Sequence, residues 1–235
     1  MKAKILLILA LVSLLNCFSQ TSKKYEDNGL KKMTNGDYLG AIYDFTNAIA
    51  IDSTDDFLYI RRAYSKREIQ DYLGAIRDYS RAIEINPLFI ETYCLRGLVK
   101  CDINDFKGAI ADYDKALEID PNYSMAYFLR GDAKIEINDY SGAIIDYTIT
   151  IEFEPTNQEA YRYRGNIKYI LKDYWGAIKD YTKAIEIDPE NATNYFNRGA
   201  AKFNAGFDDK GCNDFRKAGK LGSFEALQFI YNHCN

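Results

Sequence analysis

Residues 139–147 read Asp139-Tyr140-Ser141-Gly142-Ala143-Ile144-Ile145-Asp146-Tyr147, and the pattern returns along the chain. Asp37-Tyr38-Leu39-Gly40-Ala41-Ile42, Asp71-Tyr72-Leu73-Gly74-Ala75-Ile76, Asp105-Phe106-Lys107-Gly108-Ala109-Ile110 and Asp173-Tyr174-Trp175-Gly176-Ala177-Ile178 stand at a fixed 34-residue step. A sixth, worn copy ends in Lys210-Gly211-Cys212-Asn213-Asp214-Phe215. A period of this size marks supersecondary units that bury their apolar faces only by stacking on neighbours. Such a chain offers a surface built by the stack rather than one enclosed catalytic pocket.

Outward from that stretch, the period divides the chain into units 22–55, 56–89, 90–123, 124–157, 158–191 and 192–225. Each unit reads as two helices. In the fourth, the spacing predicts helices over 124–137 and 140–153, with Asn138-Asp139 as the turn and the Asp139 carboxylate as a cap. Pro155 closes the unit, because proline cannot continue a helix, and Pro87, Pro121 and Pro189 recur at the same place; Ser53 stands there in the first unit. One column is Tyr25, Tyr59, Tyr93, Tyr127, Tyr161 and Tyr195. Another is always tiny: Gly29, Ala63, Gly97, Gly131, Gly165 and Gly199. A third, on the second helices, runs Ala41, Ala75, Ala109, Ala143, Ala177 and Gly211. Small residues on both helices predict close backbone approach, with Tyr147 and Ile151 continuing the buried stripe from Ala143.

The columns Tyr127, Gly131, Asp139-Tyr140, Ala143, Tyr147 and Pro155 resemble the tetratricopeptide repeat family, from residue 22 to about 225. The resemblance implies an all-α fold, a right-handed α-solenoid of antiparallel helix pairs whose first helices line a concave groove. It also implies a non-catalytic role, holding a peptide or helix of a partner protein. The last residues, 223–235, read as a capping helix that lays Phe224, Leu227, Ile230 and Tyr231 over the last unit.

Composition agrees with a soluble partner-binding chain. Of 235 residues, 27% are charged and 47% hydrophobic, with a net charge of −4 and pI about 5.2. A mildly acidic chain repels phosphate backbones, which argues against nucleic acid as a partner. One histidine, His233, leaves little room for His-based metal or acid–base chemistry. No phosphate-binding loop, nucleophile elbow or paired-carboxylate cleft is present, so neither an enzymatic activity nor a cofactor is expected.

The N-terminus reads as an export signal over residues 1–19. Lys2 and Lys4 precede an apolar run from Ile5 to Leu15, too short to span a bilayer. Cleavage after Ser19 removes two lysines and gives a mature charge of −4 − 2 = −6. The protein is then expected in the periplasm or outside the cell. A rival reading takes Leu14-Leu15-Asn16-Cys17 as a lipoprotein box with Cys17 lipidated, which would tether the same folded part to a membrane.

Two sets of residues then compete for function. Arg62, Arg96, Arg130, Arg164 and Arg198 recur with Asp44, Asp78, Asp112, Asp146, Asp180 and Asp214 and with Lys32, Lys66, Lys100, Lys134, Lys168 and Lys202. They read as a charged ligand rail or, preferred here, as a structural ladder tying neighbouring units together. The non-recurring stripe of the first helices is the better binding candidate. It contains Ile60, Tyr64, Arg67, Leu98, Phe128, Asp132, Ile135, Arg162, Asn166, Tyr169 and Phe196. The apolar middle, Ile60, Leu98, Phe128 and Ile135, suits an extended or helical protein segment; the alternative is that these side chains only pack on one another. Some relatives hold a C-terminal carboxylate in a basic clamp, whose columns here carry Arg162, Asn166 and Asn197. The helix expected to complete it carries Leu227 and Tyr231, which counts against that use.

In an exported chain Cys212 and Cys234 are candidates for a disulfide holding the last helix, the alternative being two free thiols. Cys94 and Cys101, seven residues apart on one helix, are about 10.5 Å apart along its axis and cannot pair with each other. They read as small apolar residues of the groove face.

Overall fold

The computed structural model describes residues 20–234, all of whose regular elements are helices. The expected signal segment 1–19 and Cys17 lie outside the described residues. The helices are α1 (20–34), α2 (Tyr38–Ile51), α3 (Asp56–Glu68), α4 (Tyr72–Ile85), α5 (Ile90–Asp102) and α6 (Phe106–Ile119). They continue as α7 (Ser124–Glu136), α8 (Tyr140–Phe153), α9 (Gln158–Ile170), α10 (Tyr174–Ile187), α11 (Ala192–Asn204), α12 (Asp208–Lys220) and α13 (Phe224–His233). Two compact units result, one ending at Pro121 with α1–α6, the other starting at Asn122 with α7–α13.

Within each unit the helices pair as antiparallel hairpins and each hairpin packs on the next in chain order. The turns are made by left-handed residues: Asn138 has φ 60°, and Gln70, Asn104 and Lys172 adopt the same region. Each second helix then starts on an aspartate cap. Asp37, Asp71, Asp105, Asp139 and Asp173 accept a hydrogen bond from the amides of Gly40, Gly74, Gly108, Gly142 and Gly176. A Cβ on Gly142 would stand 2.2 Å from that carboxylate, so glycine there is required by the cap itself.

The tiny column has a second cause. A Cβ on Gly97 would lie 2.5 Å from the Tyr113 ring and one on Gly165 2.9 Å from the Tyr181 ring. The second-helix aromatic thus lies flat against the first-helix backbone. Tyr79, Tyr113, Tyr147 and Tyr181, with Phe45 and Phe215 at the ends, are the largest fully buried side chains. In the first unit they pack with Ala41, Ala48 and Leu58, and with Ala63, Ala75 and Val99. In the second, Tyr147 packs with Ala143, Ala160 and Ile167, Tyr181 with Ala177 and Ala201.

The Arg–Asp columns form the ion cluster, but not the tie between neighbours that their period suggests. Arg62 and Asp78, Arg96 and Asp112, Arg130 and Asp146, Arg164 and Asp180, Arg198 and Asp214 pair bidentately inside one hairpin. A lysine one turn on takes the same carboxylate, as Lys168 does with Asp180 at 2.7 Å. The link to the preceding hairpin is the remaining guanidinium nitrogen, donated to Thr46 by Arg62, Ser80 by Arg96, Thr148 by Arg164 and Thr182 by Arg198. Each arginine also lies over the ring of the recurring tyrosine, 5.3 Å from the Tyr127 centroid for Arg130. The aspartates are buried, and such carboxylates are kept only with their full set of donors.

The capping helix is rotated from expectation. Ala226 and Cys234 are buried and Phe229 and Ile230 pack on Phe215, whereas Phe224 is 74% and Tyr231 81% exposed. Leu227 stays half exposed, beside Gly219. The cause is the bond between Cys212 and Cys234, Cα atoms 5.6 Å apart, with the rings of Phe215 and Phe229 in tilted contact at 4.2 Å. Together they fix which side of α13 faces inward.

Candidate functional site

The buried tyrosines turn their hydroxyl edge toward the row where the first helices vary. In the second unit that edge is answered. Tyr147 donates to the Asp132 carboxylate, and Tyr181 donates to Asn166 Oδ1 at 2.9 Å. Asn197 donates to the same Oδ1 at 3.1 Å. Burial pushes the Asp132 carboxyl up to about 6, and the charges of Glu159 and Glu136 add to it. The Tyr147 hydrogen bond and the Arg162 charge act the other way. Burial and the facing Asp132 also hold the Tyr147 phenol far above its ordinary value.

Two adjoining clefts open on this row. One, of about 460 Å³, lies between α7 and α9 and is lined by Asp132, Ile135, Glu136, Tyr163, Asn166, Ile167 and Ile170. The other, of about 390 Å³, lies between α9 and α11 against Tyr181 of α10. It is lined by Asn166, Tyr169, Ile170, Tyr181, Phe196, Asn197 and Ala200. Asn166 and Ile170 border both. The lining is aliphatic and aromatic wall with amide and carboxylate groups between, the composition of a site for a peptide-like ligand. Among the described residues no group of His, Cys, Asp and Glu is arranged to hold a metal ion.

Of the stripe residues, Asp132, Ile135, Asn166, Tyr169 and Phe196 are brought to these clefts. Tyr169 is held there by Asn204, which donates to its hydroxyl at 2.8 Å, and Phe196 packs on Phe215. Phe128 instead packs its ring between Tyr147 and Tyr163, at 5.7 and 5.8 Å. Arg162 lies over the Tyr163 ring at 4.4 Å and pairs with Glu159 at 3.1 Å, so it does not join Asn166 and Asn197 in a clamp. In the first unit, Ile60 packs on the Ala63–Tyr79 core and Leu98 is half-buried. Tyr64 stays 38% exposed, edge-on to Tyr38. Arg67 is bound bidentately by Asp102. Cys94 is buried, with its thiol pushed up to about 12, and is not a groove-face residue; Cys101 sits 3.7 Å from the Tyr113 hydroxyl.

Lining residues outside the sequence expectation include Glu136, Ile167, Tyr181, Tyr163 and Ile170, of which the last two matter most to the shape of the clefts. Ile170 had a signal: its column otherwise carries Glu68, Asp102, Glu136 and Asn204, so a half-exposed isoleucine there is out of character. Tyr163 shares a column with Arg61, Leu95, Leu129 and Asn197, which has no common character to depart from.

No curated protein matches this chain in sequence. Residues 97–136 and 165–206 match the TPR repeat model. Among solved structures, the MamA protein is 26% identical over 76% of this chain and 94% of its own, with a TM-score of 0.66. YrrB, described as "a TPR protein with an unusual peptide-binding site", is 19% identical over 80% of this chain and 97% of its own, TM-score 0.67. Pseudomonas aeruginosa PilF is 14% identical over 92% of this chain and 99% of its own, TM-score 0.73. The matched segments are similar to the TPR repeat, and the solved structures share the helix-pair fold.

Proposed function

We propose that this chain is a non-catalytic interaction scaffold that binds a segment of a partner protein along the first-helix row, with the two clefts of the second unit as the main contact. The observation that carries this reading is the Ile170 seam. A half-exposed isoleucine is shared by two clefts in a column that is otherwise polar, next to Asn166 and Asn197, which can meet a peptide backbone. YrrB, similar in fold, is a TPR protein with a peptide-binding site, which favours the same use here.

The chain is further read as exported, with the partner in the cell envelope or outside it. The apolar run 5–15 and the Cys212–Cys234 bond favour an oxidising compartment. The second reading, a lipid-anchored subunit of an envelope assembly, rests on Leu14-Leu15-Asn16-Cys17. Fatty-acid labelling separates the two: label lost in Cys17→Ala supports the anchor, and an unlabelled chain whose N-terminus begins at Gln20 supports cleavage.

The binding face is tested with a photo-crosslinking residue placed at Ile170 or at Ile145, which is 59% exposed on α8. Adducts in the native cell from 170 but not from 145 are expected. Equal adducts from both positions would reject the cleft row as the binding face.

A further inference from the structure

The chain contains its own example of a guanidinium seated on this row. Arg67 of α3 reaches Asp102 of α5 with Nε–Oδ2 2.5 Å and Nη2–Oδ1 3.1 Å. Tyr169 and Asn204 repeat that register, a residue on one first helix meeting the residue 35 later on the next. Ile135 and Ile170, also 35 apart, line one cleft together. Glu136 stands in the Asp102 column. Glu136 and Asp132 both line the α7–α9 cleft, and neither forms an ion pair among the described residues.

The groups around this pair offset its negative charge only in part, through the Arg162 charge and the Tyr147 hydrogen bond. Tyr147 donates one hydrogen bond to Asp132. Glu159 adds negative charge nearby, and Arg162 is engaged with Glu159 and the Tyr163 ring. The walls are Ile135, Ile170 and the Tyr163 ring, suited to the methylene stem of a long basic side chain. The neighbouring cleft is uncharged, with Phe196 and Ala200 as wall and Asn166 and Asn197 as amides.

We propose that the bound segment is basic: an Arg or Lys side chain enters the α7–α9 cleft and is held by Asp132 and Glu136, while an adjacent apolar side chain fills the Phe196 cleft. This rests on the reading of the row as a peptide site and adds the chemistry of its occupant. The raised Asp132 carboxyl fits that arrangement, since a desolvated carboxylate lacking a cation gains most from receiving one.

The test selects a random linear peptide library on the purified chain. Enriched peptides should share Arg or Lys beside an aliphatic or aromatic residue. Their affinity should fall about tenfold or more in Asp132→Asn/Glu136→Gln, and by as much when the basic residue becomes Ala. The two losses should not add, because they remove the same contact. Asp132→Asn keeps an acceptor for Tyr147, as Asn166 does for Tyr181, so the fold is retained. Neutral or acidic peptides that depend on Ile170 and Phe196 but ignore Asp132→Asn/Glu136→Gln would overturn the basic occupant and leave the peptide site standing. Peptides unaffected by Ile170→Asp and Phe196→Ala, or no enrichment at all, would overturn both.

Discussion

The two sides of each hairpin obey different rules. On the seam between its helices the same parts recur: an arginine over a tyrosine, its fork on a buried aspartate, a lysine beside it. On the row that faces the clefts, the residue meeting the second-helix aromatic changes every time, through Leu30, Tyr64, Leu98, Asp132, Asn166 and Ala200. The aromatic follows it in four of the six hairpins, the exceptions being Tyr79 opposite Tyr64 and Tyr113 opposite Leu98. Where the row offers Leu30 or Ala200, the aromatic is Phe45 or Phe215 and carries no hydroxyl. Where it offers Asp132 or Asn166, the aromatic is a tyrosine that donates to it. The seam is specified by the fold. The row is specified by something else, and the core adjusts to it.

Breaking the seam should therefore cost the most. Asp180→Ala leaves Arg164 and Lys168 without their carboxylate and should lower stability by about 3–5 kcal/mol in urea denaturation. Removing the terminal staple with Cys212→Ser/Cys234→Ser should cost about 3 kcal/mol for a 22-residue separation, with α13 losing amide-exchange protection first.

Changes on the row should be small and of either sign. Asp132 ionises less readily folded, at about 6, than unfolded, so the folded state holds the extra proton as pH rises from about 4 to 6. Stability falls across that window and stays lower above it. Asp132→Asn should thus raise stability by about 1–2 kcal/mol at pH 7.5 and by nearly nothing at pH 4. Tyr181→Phe should lose about 1 kcal/mol with its bond to Asn166. Tyr79→Phe should be neutral or slightly stabilising by about 0.5 kcal/mol, since the Tyr79 hydroxyl is buried without a partner. Equal losses from both tyrosines would erase the distinction between answered and unanswered hydroxyls.

The helix pairs were legible because one spacing recurs: Asp139 caps and Gly142 follows because only glycine leaves room for the carboxylate. The Arg–Asp partnership was legible as chemistry but misplaced, because a period cannot distinguish a partner 16 residues ahead from one in the next copy. Arg164 and Asp180 meet within a hairpin, and only the small hydroxyl at Thr148 crosses to its neighbour. At the site, Asp132 and Asn166 were legible as members of the non-recurring stripe. Phe128 and Ile60 misled because they stand at the edge of the exposed stripe, where a side chain can turn inward to a tyrosine as easily as outward. The rotation of α13 escaped because one disulfide and one ring contact, not its amphipathic pattern, decide it.

Every fork of the recurring arginine column finds its carboxylate before the chain leaves the hairpin, so that this column balances its charge inside each cassette. On the preceding cassette Arg96 and Arg198 reach no more than a hydroxyl. Evolution, or an engineer, can therefore shuffle such cassettes and rewrite the ligand they display without renegotiating the charges that keep them shut.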